Sequence, residues 1–334
     1  MSSTLSSLPP GITNTNQCTK ETCPVTLATI PYVPSLIGNI IFMGIWGLAA
    51  LSHLGLGIKY KTWTFMGAMT AGCALEVLGY LGRVQLNSNP FNEDAFLMYL
   101  ICATIAPVFI TGGIYLCLSR VIIIFGESLS YLRPRTYTIL FVTCDFISLI
   151  LQAAGGALVS ISDDKATSDI GLRIMQAGLI FQVVSLVVFV ALCSFFFWRV
   201  RQCVNKGDVN AQLNTNFLEL RKTRRFRGFL VGFSIATIAM ITRCGYRVAE
   251  LAEGFNGPIW ANEKEFMVLE GAVLAVCILL ITGFHPGWCM KGRFREASFA
   301  MKELRKRGKG GPGFGSYDSS VSGAPVGGGV EGDA

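Results

Sequence analysis

Seven long apolar stretches, a shortage of charge and a one-sided placement of Lys and Arg predict an all-α integral membrane protein. It reads as a seven-transmembrane-helix bundle, N-terminus extracellular and C-terminus cytosolic. Hydrophobic residues make up 51% of the 334 and charged ones 15%, with mean hydropathy +0.51. Soluble domains carry roughly 25% charged residues, so this chain lacks the polar surface to face water. A span needs ~20 mostly apolar residues to cross ~30 Å of hydrocarbon. Seven stretches reach that length: 33–58, 62–84, 96–125, 137–161, 171–198, 228–251 and 265–288.

Charge sets the orientation. With the N-terminus outside, 21 of the 28 Lys and Arg fall on the cytosolic side, and most of those lie at 199–227 and 291–309. Basic residues are retained there during insertion. The net charge of +7 therefore reflects topology and an anionic inner leaflet, and implies no nucleic-acid partner.

Residues 1–31 form an extracellular tail without the basic start and short apolar run of a cleavable signal, so the first span serves as the insertion signal. Cys18 and Cys23 lie in this oxidising compartment and are a disulfide candidate, the alternative being two free thiols. The transmembrane domain covers 32–289. Within its last cytosolic loop, 217–227 reads as a helical extension of the sixth span. Residues 290–307 form a basic juxtamembrane segment with helical apolar spacing, and 308–334 a Gly/Ser/Pro-rich disordered tail. Cys203 and Cys289 are juxtamembrane candidates for palmitoylation. Gly228-x-x-x-Gly232 permits close helix packing, within one chain or in a homo-oligomer.

The informative residues are polar ones inside spans. Each charge there costs ~2.5–3.5 kcal/mol at the bilayer centre on insertion scales, so such residues face a bundle interior and find partners. Span two places Glu76, Tyr80 and Arg83 on one face by offsets of four and seven. Span six carries Arg243, Tyr246, Arg247 and Glu250, and span seven Glu270 and, at its cytosolic end, His285. Asn39, Asp145, Gln152 and Gln182 complete the set. By depth, most fall in the outer half, Glu76 and Gln182 near the middle, and Asp145 and His285 toward the cytosol. The expectation is a polar vestibule opening outward, held by Arg–carboxylate pairs. The competing reading is an ion-pair network that only locks helices together.

Several chemistries are excluded at the residue level. No G-x-x-x-x-G-K-[ST] phosphate loop occurs, and no lysine lies in span seven to bind retinal. Only His53 and His285 could serve as histidine ligands, too few for a catalytic zinc. No metal, cofactor or enzymatic activity is expected. The Asp-Arg-Tyr and Asn-Pro-x-x-Tyr marks of G-protein-coupled receptors are missing.

A series of short motifs runs along the spans. It begins with Tyr32-x-Pro34, Asn39, His53 and Glu76-x-x-Gly79-Tyr80-x-x-Arg83. Ala106-Pro107, Tyr115-x-x-x-x-Arg120, Asp145, Gln152-x-x-Gly155 and Gly178-x-x-x-Gln182 follow. Arg243-x-x-Tyr246-Arg247-x-x-Glu250, Gly254-x-x-Gly257, Glu265 and His285-Pro286-Gly287 close it. In this order the chain resembles the fungal lipid-translocating exporters, the aminocholesterol-resistance family that includes sphingoid long-chain-base transporters. Phe266 and Glu270 depart from the Tyr and Asp usual there. The resemblance implies fungal origin, a plasma-membrane or endomembrane location, and roles in lipid asymmetry and resistance to toxic amphiphiles. Together with the residues it points to a translocator of an amphiphilic lipid, passive or proton-coupled. The alternative is a lipid or stress sensor signalling through the basic loop and tail.

Overall fold

The computed structural model describes residues 18–28, 30–162, 164–206, 213–214, 217–254, 257, 259–290 and 294. Among them there is no strand. Seven helices are long and apolar enough to cross a membrane: α1 (Leu36–Tyr60), α2 (Trp63–Ser88), α3 (Glu93–Phe125), α4 (Pro134–Ile161), α5 (Lys165–Asn205), α6 (Arg224–Glu253) and α7 (Glu263–Cys289). Each overlaps one apolar stretch of the sequence. The expected C-terminal segments, 290–307 and 308–334, fall outside the described residues apart from Met290 and Phe294, as do residues 1–17 and 29 of the N-terminal tail.

Local chemistry sets the helix ends. Ser35, Asn92 and Thr223 cap α1, α3 and α6 by accepting from the backbone N–H groups of Gly38, Ala95 and Phe226, donors the first turn otherwise leaves unpaired. Pro134 opens α4, where its missing N–H costs nothing. The turn between α1 and α2 needs Lys61 in the left-handed region (φ 54°). The expected continuous helix over 217–227 is not formed. A single turn, Leu218–Lys222, stops at extended Thr223 (ψ 139°), whose hydroxyl caps α6 instead of riding inside a helix. α5 is the longest helix, 41 residues or about 60 Å. It carries Arg199 and Arg201 beyond the apolar zone.

Successive helices pack side by side, and α7 closes the ring against α1. α3 is the central member: 72% of its apolar window is buried, against 22% for peripheral α1. α4 and α5 meet backbone to backbone. A Cβ on Gly155 would lie 2.5 Å from the Gly171 carbonyl oxygen. Gly228 and Gly232 make room for the Phe284 ring, which a Cβ on either would approach to 2.8 Å. The small-residue stripe of α6 is thus filled within the chain.

The N-terminal segment packs on one end of the bundle, which we call the upper end. A disulfide joins Cys18 to Cys23 beside Phe91. Asn87 Nδ2 donates to the Pro34 carbonyl (2.7 Å), and the Ser35 N–H donates to the Glu263 carboxylate.

Candidate functional site

Six buried charges meet in the upper half of the bundle. On α6, Arg243 donates from Nη2 to Glu270 Oε1 (2.6 Å) and to the Ala103 carbonyl of α3 (2.6 Å). One turn further, Arg247 Nη1 pairs with Glu250 Oε2 (2.5 Å), and the Tyr246 hydroxyl donates to Glu250 Oε1 (3.3 Å). Glu270 sits on a π-helical stretch of α7, Phe266–Ala272, a distortion that often marks functional positions. These pairs match the expected Arg–carboxylate arrangement.

The third guanidinium behaves differently. Arg83 Nε donates to Asn39 Oδ1 (3.1 Å) and Nη2 to the Tyr32 hydroxyl (3.2 Å). Its plane lies over the Phe266 ring, 3.8 Å from the centroid, with Tyr99 at 5.0 Å. A delocalised guanidinium tolerates such an aromatic cage better than an ammonium would. Glu76, on the same face of α2, enters no ion pair among the described residues. Its Oε1 is buried without a hydrogen-bond partner.

The cluster does not form an outward-opening vestibule. Ile30, Leu86, Tyr99, Trp260 and Phe266 pack into an apolar cover at the upper end. These side chains lie in the N-terminal segment, in α2, in α3 and around the start of α7, where sequence periodicity assigns them no common position. The opening is lateral instead. A groove of about 980 Å³ runs along α3 and α4. Its α4 lining spans Thr138 to Ser160, about 33 Å, close to the hydrocarbon thickness. Ile101, Phe109, Phe146 and Ile150 line it and are exposed on the flank. At its inner wall stand Gln152, Arg247 and Glu250. Arg247 and Glu250 are its charged lining residues.

Asp145 sits lower, holding α3 to α4: its Oδ2 accepts from Thr111 Oγ1 (2.9 Å) and the Tyr115 hydroxyl (3.0 Å). Ser119 Oγ adds a bond to the Pro134 carbonyl (2.6 Å). Gln152 Nε2 donates to Gln182 Oε1 (3.2 Å), tying α4 to α5. His285 lies far from the charges, at the opposite end of α7. Its Nδ1 accepts from the Gly287 N–H (3.1 Å) and its ring stands 5.6 Å from that of His53. Among the described residues no group of three or more His, Cys, Asp or Glu is placed to hold a metal.

The arrangement thus brings Asn39, Glu76, Tyr80, Arg83, Arg243, Tyr246, Arg247, Glu250 and Glu270 together, with Gln152 and Gln182 alongside. Asp145 serves helix packing, and His285 stands apart. Tyr99, Thr111 and the groove walls were not singled out from sequence. Tyr99 is one aromatic in an apolar run and carries no signal of its own, whereas Thr111 and Tyr115, four apart, do place two hydroxyls on one helix face.

A model of RTA1-like proteins matches residues 69–293. The chain belongs to the RTA1-like family. It is 34% identical over 284 residues to the sphingoid long-chain base transporter RSB1 of Saccharomyces cerevisiae, covering 78% of this chain and 74% of that one. Protoporphyrin uptake protein 1 of the same yeast is 28% identical over 221 residues, 65% of this chain and 66% of that one. Protein RTM1 is 26% identical over 246 residues, 71% of this chain and 75% of that one. No solved structure matches. In this RTA1-like chain the matched region holds the three paired or caged arginines and the groove lining except Thr64 and Ala68, while Tyr32 and Asn39, the Arg83 partners, also precede it. At the two atypical positions, the Phe266 ring still faces Arg83 and Glu270 still reaches Arg243.

Proposed function

We propose that this RTA1-like membrane protein translocates a cationic amphiphile, a sphingoid long-chain base or a similar lipid, between leaflets. One observation carries the reading: an apolar groove as long as the hydrocarbon is thick, open on its flank, with the Arg247–Glu250 ion pair on its inner wall. The tail stays against Ile101, Phe109, Phe146 and Ile150, so little acyl surface meets water. The ammonium head exchanges onto Glu250, the partner of Arg247, and Gln152 offers a neutral partner beside it. Similarity to a long-chain base transporter supports the substrate class. The N-terminus faces outward, the plasma membrane is the site of action, and the activity contributes to lipid asymmetry and resistance to toxic amphiphiles. No nucleotide site drives it, so transport is passive or proton-coupled.

The test is translocation of fluorescent sphingoid base in liposomes containing the purified protein, followed by quencher accessibility. Ala153→Trp places an indole in the groove on an exposed position of α4 and is expected to stop movement with an unchanged melting temperature. Glu250→Gln is expected to favour neutral over cationic amphiphiles. Wild-type protein that binds the base but never moves it would sink the translocator reading and favour a sensor.

A further inference from the structure

Glu76 is one of four buried charges of the cluster that do not line the groove. Three carboxylates and three guanidiniums share the cluster, yet they do not pair three to three. Arg243 takes Glu270 and Arg247 takes Glu250. Arg83 is held by a hydroxyl, an amide oxygen and aromatic faces. Glu76 is left with Oε1 unpartnered, and Glu270 Oε2 is unpartnered as well. Both residues line one small pocket of about 10 Å³, together with Gly79, Tyr80, Arg83, Tyr99, Ala103 and Phe266. That is room for about one water molecule. A buried carboxylate whose Oε1 meets no donor or cation from the protein costs far more than a neutral acid, which favours a cation on Glu76. Glu76 Oε1 and Glu270 Oε2 are the unpartnered oxygens there, too few for a metal cation that takes several oxygen ligands. A proton needs a single oxygen.

We propose that Glu76 is a proton site coupled to the groove: it holds a proton when the groove is empty and releases it when a cationic head binds. This rests on the amphiphile reading above. With Glu76 protonated the cluster carries one excess positive charge, and with Glu76 ionised it is balanced. An ammonium arriving at Glu250 therefore favours loss of the Glu76 proton, and the coupling is reciprocal. The O–H bond of the carboxyl breaks and the proton passes to water. The groups facing Glu76 are Cys73, Tyr80 and Arg83 on α2, Tyr99 and Cys102 on α3, Arg243 and Arg247 on α6, and Glu270 on α7.

The experiment measures proton release on binding of a trimethylammonium analogue of the base, whose head cannot itself titrate, to purified protein in weakly buffered detergent solution. Wild type is expected to release close to one proton per ligand bound, and its apparent affinity to rise with pH, by up to tenfold per unit. Glu76→Gln should bind without release, and its affinity should no longer depend on pH. Glu270→Gln should keep the release. Binding without release in wild type, or release that survives in Glu76→Gln, overturns the proton site while leaving the translocator reading standing. Absence of binding altogether counts against both. Should Glu76→Gln not fold, infrared difference spectra of wild type on ligand addition decide: loss of a protonated-carboxyl band is expected, and no change in that region overturns the proposal.

Discussion

At the scale of single residues, the buried ion pairs set what substitutions cost. Arg247 and Glu250 are both over nine-tenths buried, so removing one partner strands a charge. Arg247→Ala is expected to destabilise the protein by about 3–5 kcal/mol, read as a lower melting temperature in detergent. The double change Arg247→Met with Glu250→Leu should recover most of that loss, because an apolar pair restores packing without a stranded charge. If the double variant melts no higher than the single one, the pair does more than neutralise charge. Arg83→Lys tests the aromatic cage. A lysine retains the charge and forfeits the planar stack on Phe266 and the fork to Asn39 and Tyr32. A loss of about 2 kcal/mol is expected, and an unchanged melting temperature would show that charge alone matters there. That Glu76, Arg83, Arg243, Arg247, Glu250 and Glu270 would converge was legible from helical offsets. Their pairing was not, since offset arithmetic places Glu76 and Arg83 on one face of α2 yet says nothing of Tyr32 or Phe266 arriving from elsewhere in the chain.

At the scale of helices, glycine positions distinguish contact from ornament. Gly155 and Gly156 are adjacent in α4, but only Gly155 touches the α5 backbone. A Cβ on Gly156 would meet nothing nearer than Met175 Sδ at 3.8 Å. Gly155→Ala should therefore part α4 from α5 and lower the melting temperature markedly, while Gly156→Ala should leave it unchanged or raise it slightly, since alanine favours the helix. Equal effects would refute the close approach. Apolar length located all seven helices in the sequence because burial in lipid demands it. The break at Thr223 escaped notice because a Thr that caps and a Thr inside a helix look alike until the chain direction on either side is known.

At the scale of the whole molecule, the bundle has two distinct surfaces: an upper end sealed by packed aromatic side chains, and a flank opened by the α3–α4 groove. Traffic is thus expected to pass through the side and to depend on the surrounding lipid. The distribution of Lys and Arg further predicts that an N-terminal epitope is reached by impermeant reagents in intact cells and a C-terminal one only after permeabilisation. The reverse pattern would overturn the proposed orientation of the bundle.

The sequence by itself determined the class, the number of spans, the family resemblance and the residues that carry charge into the membrane. Hydropathy and helical offset act over one helix at a time, and those properties need no more than that. The tertiary structure alone decided which arginine meets which carboxylate, that Glu76 enters no ion pair among the described residues, and that Arg247 and Glu250 face a lateral groove while packed side chains cover the cluster above. Each depends on how helices remote in the chain are rotated and spaced. That is set by shape, by glycines such as Gly155 and Gly171 and by the aromatic cover over the cluster, whose members are scattered along the sequence and meet only when the ring of helices closes.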